Sequence, residues 1–136
     1  MIEAYSKNVV VAANSGVPLN SVAIQKGCTA IKNGVNTIEL NKCGVYMVAV
    51  NASAIASVAG DITLQLTREG VIQPQAFARV TAADTTSTYE LSFVTLVQVK
   101  DNNSCRCCDD GTSIEVVNTG VSATFSHVDV VVTKIC

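Results

Sequence analysis

The sequence predicts an all-β protein, folded as a two-sheet antiparallel sandwich. No segment keeps the helical period of about 3.6 residues over two turns. β-branched residues dominate the apolar positions, as is typical of strands, and short apolar runs recur between turn residues at sandwich spacing. The 136 residues suffice for one domain with its own core, which we assign to residues 1–136.

Turn-forming residues divide the N-terminal third of the chain into short apolar segments. Gly, Asn and Pro favour turns and interrupt strand pairing, so each segment between them is a candidate strand. We predict strands at residues 8–13, 22–24, 28–31 and 37–41. The last alternates, with Ile38 and Leu40 facing a core and the polar residues between them facing solvent, because successive side chains point to opposite faces of a strand.

Residues 44–51 form the strand around which we expect the core to assemble. The strand is apolar on both faces, which carry Tyr46, Val48 and Val50 on one side and Val45, Met47 and Ala49 on the other. A strand of an antiparallel sandwich normally has one solvent-exposed, polar face. This strand has no polar face, so both of its sides must be covered. We expect the domain's own core on one side and a neighbouring subunit on the other. The small residues at 52–60 predict a loop.

The C-terminal part of the chain contains both alternating and doubly apolar segments. Residues 61–69 alternate, and 71–80 form a weaker strand that is interrupted near Pro74. The remaining strands are placed at residues 90–100, 112–118 and 127–136. The polar segment between the first two of these is a loop that carries three cysteines.

The strands fall into two sets. Those at 37–41, 61–69 and 112–118 alternate, whereas those containing Val9, Gly44, Glu90 and Val128 are apolar on both faces for much of their length. A jelly roll brings the first and last strands into one sheet, and a cyclic trimer would bury that sheet around its axis. The charged fraction of only 15% also favours association, because so few charged side chains leave the surface of a monomer poorly covered with polar groups.

The predicted trimer interface consists of apolar residues from the doubly apolar strands. These are Val9, Val11, Tyr46, Val48, Val50, Val94, Leu96, Val130 and Val132. The alternative is a monomer with single exposed valines, which are common on protein surfaces.

Four short motifs occur in an order known from one superfamily. They are Gly44-Val45-Tyr46 entering a central strand, a strand with a charged-glycine turn at 62–70, a long and a short strand at 91–117, and a valine-rich closing strand at 128–135. Together they resemble the trimeric jelly-roll heads of the tumour necrosis factor (TNF) and complement globular-head superfamily. More closely, the chain resembles small cysteine-bearing proteins of Firmicutes and their phages, including heads of phage fibres and spore-surface proteins. The resemblance implies that the doubly apolar strands form the inner sheet of a trimer.

Cysteine usage predicts disulfide bonds. The six cysteines are Cys28, Cys43, Cys105, Cys107, Cys108 and Cys136, and an even number is typical of oxidising compartments. Bridges within or between subunits, a metal site and free thiols are all compatible with the sequence. Cys105 and Cys108 have the spacing of half a zinc site, but no second pair follows. A bridge from this loop to Cys28 or Cys43 would join parts of the sandwich.

No arrangement of residues is typical of an enzyme. His127 is the only histidine and no nucleophile motif surrounds it, and Asp109-Asp110 supplies too few oxygens for a calcium cage. We therefore expect no catalytic site, no cofactor and no resident metal. The net charge of -2 without a basic patch argues against nucleic acid, and the lack of an apolar run of about 18 residues argues against membrane insertion.

The resulting expectation is a non-enzymatic structural or adhesion protein, namely a trimeric jelly-roll knob, decoration or fibre-head protein of a phage particle. The alternatives are a spore-coat or exosporium surface protein of the same fold, and a carbohydrate-binding module. Expected partners are further copies of the chain, other virion or surface proteins, and a host-surface glycan. Residues 1–6 show no signal peptide, so we expect a virion or a bacterial or spore surface, reached by release from a lysed cell.

Overall fold

The computed structural model describes residues 1–100 and 112–136, and every regular element among them is a β-strand. In chain order the strands are β1 (Ile2–Val11), β2 (Ser15–Gly16), β3 (Ser21–Gln25), β4 (Ala30–Asn33), β5 (Thr37–Leu40), β6 (Gly44–Ala56), β7 (Gly60–Arg68), β8 (Val71–Ala82), β9 (Tyr89–Val99), β10 (Thr112–Asn118) and β11 (Ala123–Lys134). This confirms the all-β prediction. Within the described residues, no helix has the length and apolarity that a membrane crossing requires.

Two antiparallel sheets pack face to face. The first sheet has the order β3-β1-β11-β6-β9, and the second has the order β4-β5-β10-β7-β8, with β2 paired to β10. The first and last long strands, β1 and β11, therefore lie side by side although they are far apart in sequence, which is the winding of a jelly roll. The doubly apolar strands β1, β6, β9 and β11 all belong to the first sheet, and the alternating strands β5, β7 and β10 all belong to the second, as predicted.

The core lies between the sheets and takes every second residue along most of the long strands, such as β6 and β10. Its largest buried side chains include Tyr46 and Phe125 from the first sheet and Ile38, Leu64 and Ile114 from the second. Full burial of one such aliphatic side chain contributes about 1.5–3 kcal/mol. The hydroxyl of Tyr46 donates a hydrogen bond to Lys42 O at 2.7 Å, so this ring is buried without leaving its polar end unpaired.

Gly44 fixes the entry to β6. Its φ is 142°, a conformation that side chains with a Cβ rarely adopt. A Cβ at this position would also overlap the carbonyl oxygen of Cys136 and the side chain of Lys134. The Gly44-Val45-Tyr46 motif is therefore explained by close packing of the C-terminal segment on the start of β6.

Several strands are longer than predicted. β1 begins at Ile2 because Ile2 and Ala4 alternate into the core, and β6 continues to Ala56 because Ala52, Ala54 and Ala56 face the core. The loop predicted for residues 52–60 is therefore wrong over its first half. β8 continues past Pro74 because its pairing with β7 is irregular between Gln65 and Thr67, at an edge strand where proline is tolerated.

Candidate functional site

The first sheet has one face in the core and one face outside. On β6, Tyr46, Val48 and Val50 are at most 1% exposed, so the residues between them point away from the core. Met47 pairs with Leu96 of β9 and Ala49 pairs with Val94. Leu96 and Val94 are 56% and 65% exposed, which marks this side of the sheet as a surface.

Strand pairing gathers apolar side chains on that outer face. Ala49 also pairs with Val131 of β11, and directly paired residues have Cβ atoms only about 4.5–5.5 Å apart. We call this surface the apolar patch, formed by Val45, Met47, Ala49, Val94, Leu96 and Val131. A contiguous exposed apolar surface rimmed by polar residues is typical of an interaction site.

The structure corrects most of the predicted interface residues. The residues Val11, Tyr46, Val48, Val50, Val130 and Val132 are at most 2% exposed. They lie between the two sheets, where a partner chain would not reach them. Val9 is partly buried and packs against the same core. Of the predicted set, Val94 and Leu96 are the residues on the outer surface.

Polar residues on the same strands carried the signal that identifies the outer face. Asn51 has the same orientation on β6 as Met47 and Ala49, and Asp129 has the same orientation on β11 as Val131. A charged or amide side chain is rarely buried without a partner. The face that carries Asn51 and Asp129 should therefore have been assigned to the surface from the sequence.

A row of polar side chains borders the apolar patch. Asp129 pairs with Asn51 on β6 and with Tyr5 on β1, and His127 pairs with Lys7 further along. Asp129 Oδ1 is shielded from solvent, and no residue that the structure describes forms a hydrogen bond with it. A shielded carboxylate oxygen without a donor disfavours the charged form of the group.

The pKa of the Asp129 carboxyl is raised above its usual value of 3.8. Desolvation by burial is the largest cause. The negative charge of Glu3 and a hydrogen bond with its side chain raise the pKa further, whereas His127 opposes the shift. The folded chain therefore holds this proton more tightly than the unfolded chain, and stability is lost as the pH rises through the raised pKa.

We expect the substitution Asp129→Asn to stabilise the protein at neutral pH, because the amide has no charge to desolvate. In urea unfolding, the variant's midpoint should exceed that of the unmodified chain at pH 7. The difference should shrink as the pH falls toward 3.8 and disappear well below it, where Asp129 is protonated in both the folded and the unfolded state.

Asp84 provides a control of opposite sign. The backbone N–H groups of Ser87 and Thr86 lower the pKa of the Asp84 carboxyl, so its contribution to stability is present above the usual pKa of 3.8 and is lost as the pH falls through the lowered value. Asp84→Asn should therefore destabilise the protein at pH 7. An Asp129→Asn variant that is less stable at pH 7, or whose effect does not change with pH, would contradict the role assigned to Asp129.

Backbone carbonyls of two of the described cysteines form hydrogen bonds with residues just before or at the start of β6. The carbonyl of Cys136 accepts a 3.4 Å hydrogen bond from Val45 N, beside Cys43, and the carbonyl of Cys28 accepts one from Asn41 Nδ2 at 3.1 Å. Cys28 and Cys136 are exposed free thiols, Cys43 is half-buried, and no disulfide joins the three. The predicted disulfides are not supported at these positions.

The remaining predictions for the cysteine-rich loop fall on residues 101–111, outside the described residues. They concern Cys105, Cys107 and Cys108, for which the sequence leaves bridges, a zinc site and free thiols open, and the acidic pair Asp109-Asp110. In the part of the chain that the structure describes, no three His, Cys, Asp or Glu residues are placed to hold a metal ion.

Comparison with known proteins relates the chain to others through its fold. No protein-family model and no curated protein sequence matches it. Among solved structures it is similar to the TNF protein Eiger from S. frugiperda, with a TM-score of 0.69, 14% identity, and coverage of 99% of this chain and 92% of the other. Murine APRIL at pH 8.5 gives a TM-score of 0.67 with 11% identity and 98% coverage of each chain. The PRD1 vertex protein P5 gives 0.62 with 15% identity, covering 99% of this chain and 96% of the other. The chain therefore has a TNF-like jelly-roll fold.

Proposed function

We propose that the chain is a non-enzymatic structural protein that assembles as a homotrimer through the outer face of its first sheet and forms a knob or decoration on a phage particle. The observation that carries the proposal is the apolar patch, where Val94 and Leu96 are 65% and 56% exposed in the single chain. Water contact with such a surface is unfavourable by roughly 25 cal/mol for each Å² of apolar area, so association with a partner is favoured.

A cyclic trimer explains why a copy of the same chain is the partner. In a ring, each subunit presents two different surfaces, one for each neighbour. The outer face of the first sheet presents two different sides, with the patch toward β9 and the exposed side chain of Ile24 toward the opposite edge, on β3. Ile24 pairs with Glu3 of β1, and Glu3 pairs with Val131 of the patch, so the two sides lie at the same level of the sheet. The patch of one copy would pack against the β1 and β3 side of the next.

The phage-particle setting is supported by comparison of the fold. The fold is similar to that of a vertex protein, PRD1 P5, as well as to TNF proteins, and the resemblance to phage and spore-surface heads points in the same direction. Other virion or surface proteins are the partners to which such a knob would attach. A spore-surface location is the second candidate, and the neighbouring genes test the choice, since virion genes support the first and sporulation genes the second.

Size-exclusion chromatography with light scattering tests the assembly. The expected mass is three times the 14.2 kDa of one chain, and it should persist on dilution because interfaces rich in apolar residues are typical of permanent oligomers. A mass equal to one chain at micromolar concentration would contradict the proposal. A dimer would retain an interface but would contradict the cyclic trimer.

A further inference from the structure

A second recessed surface lies on the outward face of the second sheet, away from the apolar patch. We call it the Phe77 pocket. It has a volume of about 290 Å³ and is lined by Thr63, Gln65, Pro74, Phe77, Arg79 and Thr119. Thr63 pairs with Arg79 and Gln65 pairs with Phe77 across β7 and β8. Because Ile62 and Leu64 fill the core, Thr63 and Gln65 must point outward.

One wall of the pocket combines an aromatic ring with a positive charge. The Phe77 ring is 46% exposed, and the Arg79 guanidinium carbon lies 5.9 Å from its centroid. Within residues 1–100 and 112–136, no hydrogen bond or ion pair holds the guanidinium. An arginine carries five N–H donors in a planar fork that matches a carboxylate, so this group has its full donor capacity available for a ligand.

The floor of the pocket is polar. Thr63 is only 6% exposed although it points outward, so its side chain lies deep in the recess. Thr119 Oγ1 donates to Gln65 Oε1 at 3.4 Å, which leaves the amide N–H groups of Gln65 to donate to a ligand. Hydroxyl and amide groups recessed beside an exposed aromatic ring provide a few fixed polar partners next to an apolar surface, as in many small-molecule sites.

We propose that the Phe77 pocket binds a sugar that carries a carboxylate, such as a uronic acid unit of a surface polysaccharide. The apolar face of the sugar ring packs on Phe77, its hydroxyls exchange hydrogen bonds with Thr63 and Gln65, and its carboxylate pairs with Arg79. The volume is near the lower end of the ~300–1,000 Å³ typical of ligand sites, which suits a single sugar unit. The pocket and the proposed trimer interface lie on different sheets, so this proposal stands without the trimer.

Titration of the full chain with sodium glucuronate and galacturonate, followed by amide chemical shifts in NMR, tests the proposal. Glucose serves as the uncharged match. At least one acidic sugar should bind saturably and at least about tenfold more tightly than glucose, which is the effect of one charge-assisted hydrogen bond. Arg79→Gln should remove this preference, and Phe77→Ala should weaken binding of the acidic sugar by roughly tenfold, the order of a lost ring contact.

Arg68→Gln is the matched control, because it removes the same charge from the same sheet outside the pocket. It should leave both affinities unchanged. Light scattering on each variant separates loss of binding from loss of assembly. The proposal is overturned if neither acidic sugar binds, if glucose binds equally well, or if Arg79→Gln retains the preference. It is also overturned if N-acetylglutamate amide binds as tightly as the sugars, because the pocket would then recognise a peptide carboxylate.

Discussion

Replacing both Val94 and Leu96 with aspartate is expected to dissociate the homotrimer into monomers. Both side chains protrude from the outer face of the first sheet, more than half exposed in the single chain, and we place them against the next subunit. Burying an unpaired carboxylate costs several kcal/mol per ion, and the charges would recur at every interface of the ring. The light-scattering mass should fall from three chains to one chain of 14.2 kDa, while the far-ultraviolet circular dichroism keeps its β-sheet form.

Val71→Asp combined with Ile72→Asp is the matched control for this variant, because it also adds two aspartates to each chain at exposed apolar positions. Val71 is 63% exposed, against 65% for Val94, but it lies on β8 in the second sheet. The control should remain trimeric. A trimer that survives both aspartates, or that dissociates equally with the control, would show that the apolar patch is not the interface. Ile24→Asp on β3 examines the opposite surface of the ring and should also dissociate the trimer, because Ile24 is 45% exposed and lies level with the patch.

The membership of the two sheets could be predicted from the sequence because it depends on a simple pattern. A strand such as β7, with polar residues between Ile62, Leu64 and Leu66, has one solvated face wherever it is placed. A strand such as β6, which is apolar on both faces, must have both faces covered by other parts of the protein or by a partner. Sorting strands by this difference places them in the correct sheets without knowledge of any pairing.

The direction of each face was harder to predict, and the error on β6 and β11 has a physical reason. Alternation separates two sets of side chains but does not identify the inner set, and an error of one residue exchanges the faces completely. Where both sets are apolar, hydrophobicity does not decide. The few polar residues decide, and on these strands Asn51 and Asp129 point to the outside.

The Phe77 pocket could not be predicted from the sequence because it depends on irregular pairing. β7 and β8 pair regularly from Arg68–Val71 to Thr67–Ile72. Continued regularly, this register would place Gln65 opposite Pro74. The irregularity between Gln65 and Thr67 places it opposite Phe77 instead. No local pattern specifies where such a bulge occurs, since it is set by packing across the whole sheet.

The substitution Asn118→Ala is expected to lower stability more than any other substitution that we predict for a single polar side chain. Asn118 is fully buried at the end of β10. Its Nδ2 donates to Val11 O at 3.2 Å and to Val121 O at 2.9 Å, and its Oδ1 accepts from Gly120 N at 3.0 Å. Removal of the amide breaks one buried hydrogen bond, to Val11 O, and two part-buried ones, and a buried group left unpaired costs about 1–3 kcal/mol. We expect the free energy of unfolding to fall by roughly 2–5 kcal/mol, measured by urea denaturation at one fixed protein concentration because assembly contributes to apparent stability.

Asn41→Ala controls for the loss of an asparagine as such. Asn41 Nδ2 also donates to a backbone carbonyl, that of Cys28 at 3.1 Å, but the bond is exposed to solvent. Water replaces the lost donor there, so the expected loss is about 0.5–1 kcal/mol. Equal losses in the two variants would show that burial of the Asn118 network is not what matters. We expect the larger loss for Asn118 because its side-chain amide joins two parts of the fold. It bonds the end of β1 in the first sheet to the turn after β10 in the second sheet. That turn carries Thr119, which lines the Phe77 pocket.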